Sequence, residues 1–228
     1  MLEDYRRWKD LDYVPASRDV VPTPLRGRVR SGQRALDVGC HHGAATRFLA
    51  SLGLQVLGID INPRALQVAR QPQPETTPYL PEFFVADFLV DHFAEPATFD
   101  IVVLNRFLTC LPSVTDWERA LGQTRALLRP GGLLYVNDFL LMSGCDCNLR
   151  RYRQGHAGGG RWGNFVVHDE NGNASFIAHH HSVRELRRIL APYRPICLRR
   201  YATLSRHGHR SRMFELLAIC EPRSETDG

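Results

Sequence analysis

The sequence predicts an α/β protein built on a doubly wound, mostly parallel β-sheet, and three observations support this. Short apolar segments alternate with helical segments from residue 34 to residue 137, as expected of strands joined by right-handed crossovers. The segment Asp100–Leu104 contains the unbroken apolar run Ile-Val-Val-Leu, which is typical of a strand covered on both faces. Several of the predicted strands end at a polar residue, at the sheet edge where such folds bind ligands.

The elements of the first half are bounded by clear local signals. Gly53 suits the end of a helix, and Asn62 followed by Pro63 suits the start of one. The four prolines between Gln71 and Pro81 predict a loop. The elements predicted from these signals are helices at Leu2–Leu11, at Ala44–Ala50 and from Pro63, and strands at Arg34–Val38, Gln55–Asp60 and Glu82–Ala86.

The second half is expected to carry an insertion, Phe139–His181, between two of its strands. Within it, the four glycines of Gly155–Gly160 predict a mobile segment. The motifs Thr115-x-x-Glu118 and Ser182-x-x-Glu185 are capping boxes, which predict helix starts. The remaining predicted strands are Leu133–Asn137, the hairpin arms Trp162–His168 and Ala174–His179 around an Asn-Gly turn, Ile196–Ala202 and Met213–Cys220.

The segment Ala35–Gly43, with the sequence Ala-Leu-Asp-Val-Gly-Cys-His-His-Gly, is the most informative part of the chain. A strand passes through Asp37 into a glycine turn, and the next strand ends at Asp60. The glycines allow positive φ and a close approach of the backbone to a ligand. They do not follow the G-x-G-x-x-G spacing of dinucleotide-binding turns, and Asp37 would repel a pyrophosphate. This arrangement predicts a pocket for a nucleoside with a cationic or zwitterionic tail.

Four motifs in this order resemble the class I S-adenosylmethionine-dependent methyltransferases. They are Leu36-Asp-Val-Gly-Cys40, Gly58-Ile-Asp-Ile-Asn-Pro63, Phe99-Asp-Ile-Val-Val103 and Leu127-Leu-Arg-Pro-Gly-Gly132, which lie within about residues 30 to 140. The resemblance implies a Rossmann-like sheet of seven strands, the last of them antiparallel, and S-adenosylmethionine as the cofactor. His41 stands where the family usually has a second glycine. Either the turn tolerates this side chain or His41 lines the cofactor site.

The resemblance and the strand-end positions together predict the residues that hold the cofactor. Asp37 suits the cofactor's amino group, and the Asp60 carboxylate can accept hydrogen bonds from both ribose hydroxyls. Asp87 follows the third strand, where the family contacts the adenine amino group, and Phe88 is placed to stack on the ring. The predicted cofactor-binding residues are Asp37, Gly39, Cys40, His41, Gly43, Asp60, Ile61, Asp87, Phe88 and Asn105.

The predicted catalytic residues are Arg106, His179 and His181. Arg106 follows the fourth strand and remains protonated, so it is expected to hold an acidic group of the acceptor or to pair with a neighbouring acid. His179 and His181 share one face of an extended segment and are candidates for a general base, with surface or capping roles as the alternative. The predicted substrate-binding residues are Tyr5, Trp8, Tyr13, Asn137 and Tyr152, the first three as an aromatic lid.

Length and composition indicate one globular protein of 228 residues with 43% hydrophobic content. We expect an N-terminal helical cap over residues 1–33 and a cofactor-binding domain over residues 34–228, with residues 139–181 as a lid. No apolar run approaches the ~20 residues that span a bilayer. The charged amino terminus lacks the apolar core of a signal peptide. A cytoplasmic protein without a membrane partner is therefore predicted.

Charge and cysteine content bear on other partners. The net charge is +5, and of the 29 basic residues only Lys9 is not an arginine. Arginine clusters in the last third can bind phosphate, but no recognised RNA-binding module accompanies them, so nucleic acid is disfavoured as a partner. The six cysteines are expected to be reduced. The motif Cys145-Asp-Cys147 has a spacing unlike the usual zinc pairs, so no metal site is predicted.

The sequence therefore predicts methyl transfer from S-adenosylmethionine to a small-molecule acceptor through an oxygen, nitrogen or other nucleophile. Three alternatives remain open at this point. The same pocket suits a cyclase or lyase that consumes S-adenosylmethionine, an RNA methyltransferase, or a non-catalytic cofactor-binding protein. The sequence makes no prediction of the oligomeric state.

Overall fold

The computed structural model describes residues 4–11, 21–72, 77–169, 171–204 and 210–221. The described part contains nine strands: β1 (Arg34–Val38), β2 (Gln55–Asp60), β3 (Glu82–Val85), β4 (Phe99–Asn105), β5 (Leu128–Leu140), β6 (Asn164–His168), β7 (Ala174–His179), β8 (Tyr193–Leu204) and β9 (Arg210–Cys220). Its α-helices are α1 (Ala44–Ser51), α2 (Pro63–Ala69), α3 (Val114–Leu127), α4 (Asp146–Ala157) and α5 (Val183–Ile189). None of these helices is long and apolar enough to cross a membrane.

Seven strands form one sheet in the order β3-β2-β1-β4-β5-β9-β8, and β6 pairs with β7 in a separate hairpin. The strands from β3 to β5 are parallel, whereas β9 is antiparallel to both of its neighbours. The predicted fold class, a Rossmann-like doubly wound sheet with an antiparallel final strand, is confirmed. Strand order reverses between β1 and β4, so the carboxyl ends of these strands border the crevice typical of ligand sites in this fold.

Helices cover the two faces of the sheet with separate apolar clusters. On one face, Val102 and Val136 pack with Trp117 of α3 and Leu186 of α5. On the other face, Ile101, Val103 and Tyr135 pack with Leu49 of α1. Alternate residues of β4 therefore enter opposite clusters, which explains its unbroken apolar sequence.

Several element boundaries differ from the prediction for local reasons. β5 spans 13 residues and includes the Pro-Gly-Gly turn that was placed before it. Helix α3 begins after Ser113, whose hydroxyl accepts a hydrogen bond from the Asp116 amide, so the capping box predicted at Thr115 is wrong. The box at Ser182 is confirmed, with both of its reciprocal hydrogen bonds to Glu185 present.

The insertion contains a helix that the sequence analysis did not predict. Helix α4 covers the first of the four glycines, Gly155, and a β-carbon at that position would collide with the backbone of Asn164 in β6. Gly155 therefore allows α4 to pack closely against the hairpin. The two predicted arms of the hairpin are confirmed, and Asp169 closes its turn by accepting hydrogen bonds from the amides of Asn171 and Asn173. The predicted N-terminal helix is a 3-10 helix, Tyr5–Asp10.

Candidate functional site

The carboxyl ends of β1, β2 and β4 bring the predicted strand-end residues to one edge of the sheet. Asp37 lies in register with Gly58 of β2 and Val103 of β4, and Asn105 lies in register with Asn137 of β5. This edge is where we expected the cofactor-binding residues to meet. The topology brings Asp37, Asp60 and Asn105 to it from three different strands.

The turn after β1 adopts the left-handed backbone conformations that its glycines suggested. Gly39 and Gly43 have φ of 66° and 79°. A β-carbon on Gly39 would approach the Phe107 ring to 3.0 Å, so the absent side chain lets this ring pack closely against the turn. His41 has φ of 49°, so the histidine takes the conformation that glycine favours. The turn tolerates this side chain, and the ring of His41 lies 3.7 Å from that of His42.

The Asp60 carboxylate is oriented by the backbone on both sides. Oδ2 accepts a hydrogen bond from the His41 amide at 2.8 Å, and Oδ1 accepts one from the Asn62 amide at 2.8 Å. Each carboxylate oxygen has a further lone pair for a ligand hydroxyl. Burial raises the pKa of Asp60, whereas the amides of Asn62, His41 and Ile61 lower it. The glycine turn and Asp60 are thus parts of one hydrogen-bonded unit.

Asp37 is almost completely buried under this turn, and its Oδ2 accepts a 2.6 Å hydrogen bond from the Thr46 hydroxyl of α1. Burial raises the pKa of Asp37 to about 7, and the Thr46 hydrogen bond opposes this shift. The Cys40 side chain packs in a small cluster with Leu66 and Ala69, and its amide donates to the Ile59 carbonyl. The side chain and the backbone amide of Cys40 therefore both have partners within the protein.

Asp87, predicted to contact adenine, holds the N-terminal 3-10 helix in place. The Tyr5 hydroxyl lies 2.9 Å from Asp87 Oδ2 and 3.1 Å from Oδ1. Burial raises the pKa of Tyr5 to about 12, so the phenol stays protonated and donates this hydrogen bond. Phe88 is buried in the main cluster with its ring edge-on to Phe107.

Asn62 connects the cofactor edge to the N-terminal segment. Its Oδ1 caps α2, while its Nδ2 donates to the carbonyls of Trp8 at 3.0 Å and Leu11 at 2.7 Å. The Trp8 ring in turn lies 4.2 Å from that of Phe176 in the hairpin. A continuous line of contacts therefore runs from the loop after β2, through the 3-10 helix, to the inserted hairpin. Tyr13 lies outside the described residues.

Arg106 and Asn137 lie where β4 and β5 end. Arg106 has φ of 57°, its amide donates to the Asn137 carbonyl at 2.7 Å, and its guanidinium lies 5.8 Å from the centre of the Phe139 ring. The Asn137 side chain is fully buried, and its Nδ2 donates to the Tyr201 hydroxyl at 2.7 Å. Arg106 thus lies near the insertion, whereas the amide nitrogen of Asn137 is directed toward β8.

The burial of His179 and His181 corrects the prediction that one of them acts as a general base. Both are completely buried against the ring of Trp117, at centroid distances of 4.6 and 4.9 Å. His179 Nδ1 lies 2.6 Å from Asn164 Oδ1, and its Nε2 lies 3.5 Å from a Glu185 oxygen. Burial lowers the pKa of both histidines. The face that they share points toward the protein interior, so they pack the end of the hairpin against α3 and α5.

Tyr152 is likewise a packing residue rather than part of an open substrate surface. It is 1% exposed, in a cluster with Phe165 and Phe176, and its hydroxyl lies 2.6 Å from His180 Nδ1. Burial lowers the pKa of His180 to about 3. The imidazole is therefore neutral in its hydrogen bond with the phenol. The predicted role of Tyr152 in binding the acceptor is corrected to support of the insertion.

Sequence reasoning missed Thr46, Phe107 and Asp138. Asp138 is fully buried, accepts hydrogen bonds from the amides of Thr109 and Phe139, and has a pKa that burial raises to about 7. An aspartate within the mostly apolar segment 133–140 was the available signal for it. Thr46 and Phe107 had none, because each is an ordinary residue whose partner is set by tertiary packing.

Comparison with known proteins independently supports the resemblance to methyltransferases. A family model described as a methyltransferase domain matches residues 36–134. A ubiquinone biosynthesis O-methyltransferase of Proteus mirabilis is 29% identical over 165 residues, 65% of this chain and 65% of that protein. A protein of the same name from Burkholderia multivorans is 37% identical over 110 residues, 47% of this chain and 44% of that protein. The chain thus spans less than two thirds of each of these relatives.

A solved structure of an S-adenosylmethionine-dependent methyltransferase from Methanosarcina mazei superposes on this protein with a TM-score of 0.81. The two are 27% identical, and the match covers 88% of this chain and 98% of that one. The residues present fit the same cofactor, since two backbone amides orient the Asp60 carboxylate and each of its oxygens has a further lone pair for a ribose hydroxyl. No group of three or more metal-binding side chains occurs in the described residues. The family model, the relatives and the superposed structure together support a class I S-adenosylmethionine-dependent methyltransferase, with S-adenosylmethionine as its cofactor.

Proposed function

We propose that this protein transfers a methyl group from S-adenosylmethionine to an oxygen atom of a small-molecule acceptor. The observation that carries the proposal is the cover over the cofactor edge, in which Asn62 holds the 3-10 helix and Trp8 contacts Phe176 of the hairpin. An edge covered from both sides suits a small acceptor better than a polymer. Oxygen is proposed because the relatives described above are named as O-methyltransferases.

The cofactor is proposed to bind along the strand ends. Asp60 would accept the ribose hydroxyls, the turn from Gly39 to Gly43 would lie against the amino-acid tail, and Asp37 would face its amino group. Asp87 and Phe88 would border the adenine, with Asp87 shared between the base and Tyr5. When bound, S-adenosylmethionine supplies an activated methyl group. The contribution of the protein is then alignment and exclusion of water.

The division of the chain is part of the same proposal. Residues 1–33 would form the cap and residues 139–181 the lid of a cofactor-binding domain that spans residues 34–228. The Tyr5–Asp87 hydrogen bond and the Trp8–Phe176 contact support a cap and lid that act together. A cytoplasmic location and the absence of nucleic-acid and membrane partners stay predictions from the sequence.

Arg106 is proposed to bind the acceptor, since His179 and His181 are buried and directed elsewhere. A guanidinium beside an acceptor hydroxyl favours its ionised form, so the hydroxyl can lose its proton to solvent without a histidine base. We expect Arg106→Lys to raise KM for the acceptor or lower kcat at least about tenfold, because lysine lacks the planar bidentate geometry. Cofactor affinity, measured by calorimetry, should stay within about threefold. A fully active Arg106→Lys enzyme would exclude this role.

The experiment that tests the function is a coupled product assay. Purified protein, S-adenosylmethionine carrying a labelled methyl group, and a panel of small phenols, carboxylic acids and amines are incubated together. The expected result is a labelled O-methyl product that accumulates in equal amount with S-adenosylhomocysteine. Consumption of S-adenosylmethionine without S-adenosylhomocysteine would instead indicate a cyclase or lyase. A labelled amine would contradict the choice of oxygen.

A further inference from the structure

A cavity of about 640 Å³ lies beyond the carboxyl end of β5 and has two cysteines in its wall. It is lined by Leu141, Met142, Ser143, Gly144, Cys145, Cys147, Ala202, Arg210, Ser211 and Arg212. The two thiols and the two arginines are its reactive and charged groups. Neither cysteine takes part in the cofactor site described above.

The two thiols are directed at one another across the first turn of α4. Cys145 Sγ lies 2.6 Å from Cys147 Sγ, and both side chains are partly exposed. Cys145 is the N-cap residue of this 12-residue helix and has an extended backbone, and Cys147 is the second helical residue. Two thiols in direct contact have the proximity that intramolecular thiol–disulfide exchange requires.

The same position makes the pair chemically unequal. The hydrogen bond from the Cys147 thiol lowers the pKa of Cys145, and the Asn148 amide contributes next, whereas Cys147 has a raised pKa because it donates to Cys145. The amino end of a helix favours a thiolate in the same direction. Cys145 is therefore the nucleophilic member and Cys147 the resolving member. This is the division of labour found in dithiols that react with disulfides.

We propose that Cys145 and Cys147 form a reversible dithiol site that reacts with small anionic disulfides entering this cavity. The Cys145 thiolate attacks one sulfur of the small disulfide, forming a mixed disulfide and releasing one thiolate. Cys147 then gives its proton to solvent and attacks the Cys145 sulfur, which forms the Cys145–Cys147 bond and releases the second thiolate. The protein loses two electrons, and the small disulfide becomes two thiols.

The preference for an anionic disulfide follows from the other wall of the cavity. Arg210 and Arg212 line it and are exposed, and both belong to the start of β9. Their positive charge attracts carboxylates such as those of oxidised glutathione and repels a cationic disulfide such as cystamine. The arginines thereby add selectivity to the reactivity of the thiols.

The test exposes the full chain to oxidised glutathione or to cystamine and follows intact mass and peptide maps. The expected product has lost the mass of two hydrogens, carries one Cys145–Cys147 disulfide, and returns to the dithiol with excess reduced glutathione. Oxidised glutathione should react at least about fivefold faster than cystamine, and Arg212→Ala should reduce that ratio. These readouts require no methyl acceptor, so they are independent of the proposed enzymatic function.

Two single variants separate the roles of the thiols. Cys147→Ser should stop at the mixed disulfide, with one glutathionyl group on Cys145, whereas Cys145→Ser should react about tenfold more slowly. Cys220→Ser, which removes a buried cysteine of β9, serves as the control and should behave like the unaltered protein. A disulfide mapped to other cysteines, equal reactivity of both variants, or no reaction at 145 and 147 would overturn the proposal.

Discussion

The cofactor edge and the insertion use polar residues in opposite ways. At the cofactor edge, Asp60 is held by two backbone amides and keeps lone pairs for a ligand. In the insertion, His179 and His180 have hydrogen-bond partners inside the protein, and His181 is buried beside them. One region keeps carboxylate lone pairs available to a ligand, and the other uses its polar groups in its own packing.

The difference shows that a polar residue with a reactive side chain does not by itself indicate catalysis. The three consecutive histidines resemble a catalytic cluster in the sequence, yet Trp117 on one side and Tyr152 on the other enclose them. Asp60 is less conspicuous, but its position at a strand end determines where its carboxylate lies. Position in the fold, rather than residue type, separates the two cases.

The largest expected effect is on the acid stability of the insertion. His180 has a folded pKa of about 3, below its unfolded value near 6.5, so the unfolded chain binds more protons on acidification. The part of the free energy of unfolding that neutral His180 contributes above about pH 6.5 is then lost as the pH falls toward 3. Between pH 7 and pH 5 His180 alone should account for about 2 kcal/mol, with His179 and His181 adding to the loss.

Urea unfolding at several pH values measures this dependence. His180→Phe should be less stable at neutral pH, because it removes the hydrogen bond between His180 and the Tyr152 hydroxyl, but its stability should fall less steeply with acid. His168→Ala alters an exposed histidine at the end of β6 and should keep the original slope. Equal slopes in all three proteins would show that the insertion is not held by neutral histidines.

The second effect concerns the cofactor edge. Asp60→Ala should weaken S-adenosylmethionine binding about tenfold or more, since two hydrogen bonds worth about 0.5–1.5 kcal/mol each are lost. Calorimetry measures the affinity. Asp100→Ala is the matched control, because Asp100 also accepts a backbone amide hydrogen bond but lies at the amino end of β4. Unchanged affinity in a folded Asp60→Ala protein would remove Asp60 from the site.

A smaller effect is expected from a methyl group on the glycine turn. Gly39→Ala places a β-carbon 3.0 Å from Phe107 in a left-handed conformation, so it should lose about 1–2 kcal/mol of stability and bind cofactor more weakly. Gly131→Ala is the control, because Gly131 has φ of 77° but open space around it. It should lose similar stability through backbone strain while cofactor affinity stays unchanged. Equal cofactor affinity in both variants would show that the turn does not contact the ligand.

The smallest effect is predicted at His41. Its φ of 49° is unfavourable for a histidine, so His41→Gly should gain about 0.5–1 kcal/mol after the greater flexibility of glycine in the unfolded chain is subtracted. Cofactor affinity should remain within about threefold, because the amide that donates to Asp60 is retained. Denaturant unfolding and calorimetry check both points. A large loss of affinity would instead show that the His41 ring lines the cofactor site.

The sequence alone determined the features that neighbouring residues encode. The order of strands and helices, the glycine turn before α1, the cap at Asn62 and the hairpin at Asn164–His179 all depend on patterns within a few residues. The carboxyl-edge location of Asp60 followed as well, because parallel strands bring their ends together. These features were predictable since short-range geometry fixes them.

Tertiary structure decided which groups the side chains meet. Tyr5 bonds to Asp87 across 82 residues of chain, and Trp8 packs on Phe176 from still farther away. The alternation of a strand places His179 and His181 on one face, but only the packing of α3 and α5 made that face the buried one. Such contacts join residues distant in sequence, so they depend on how complete elements pack and not on any local pattern.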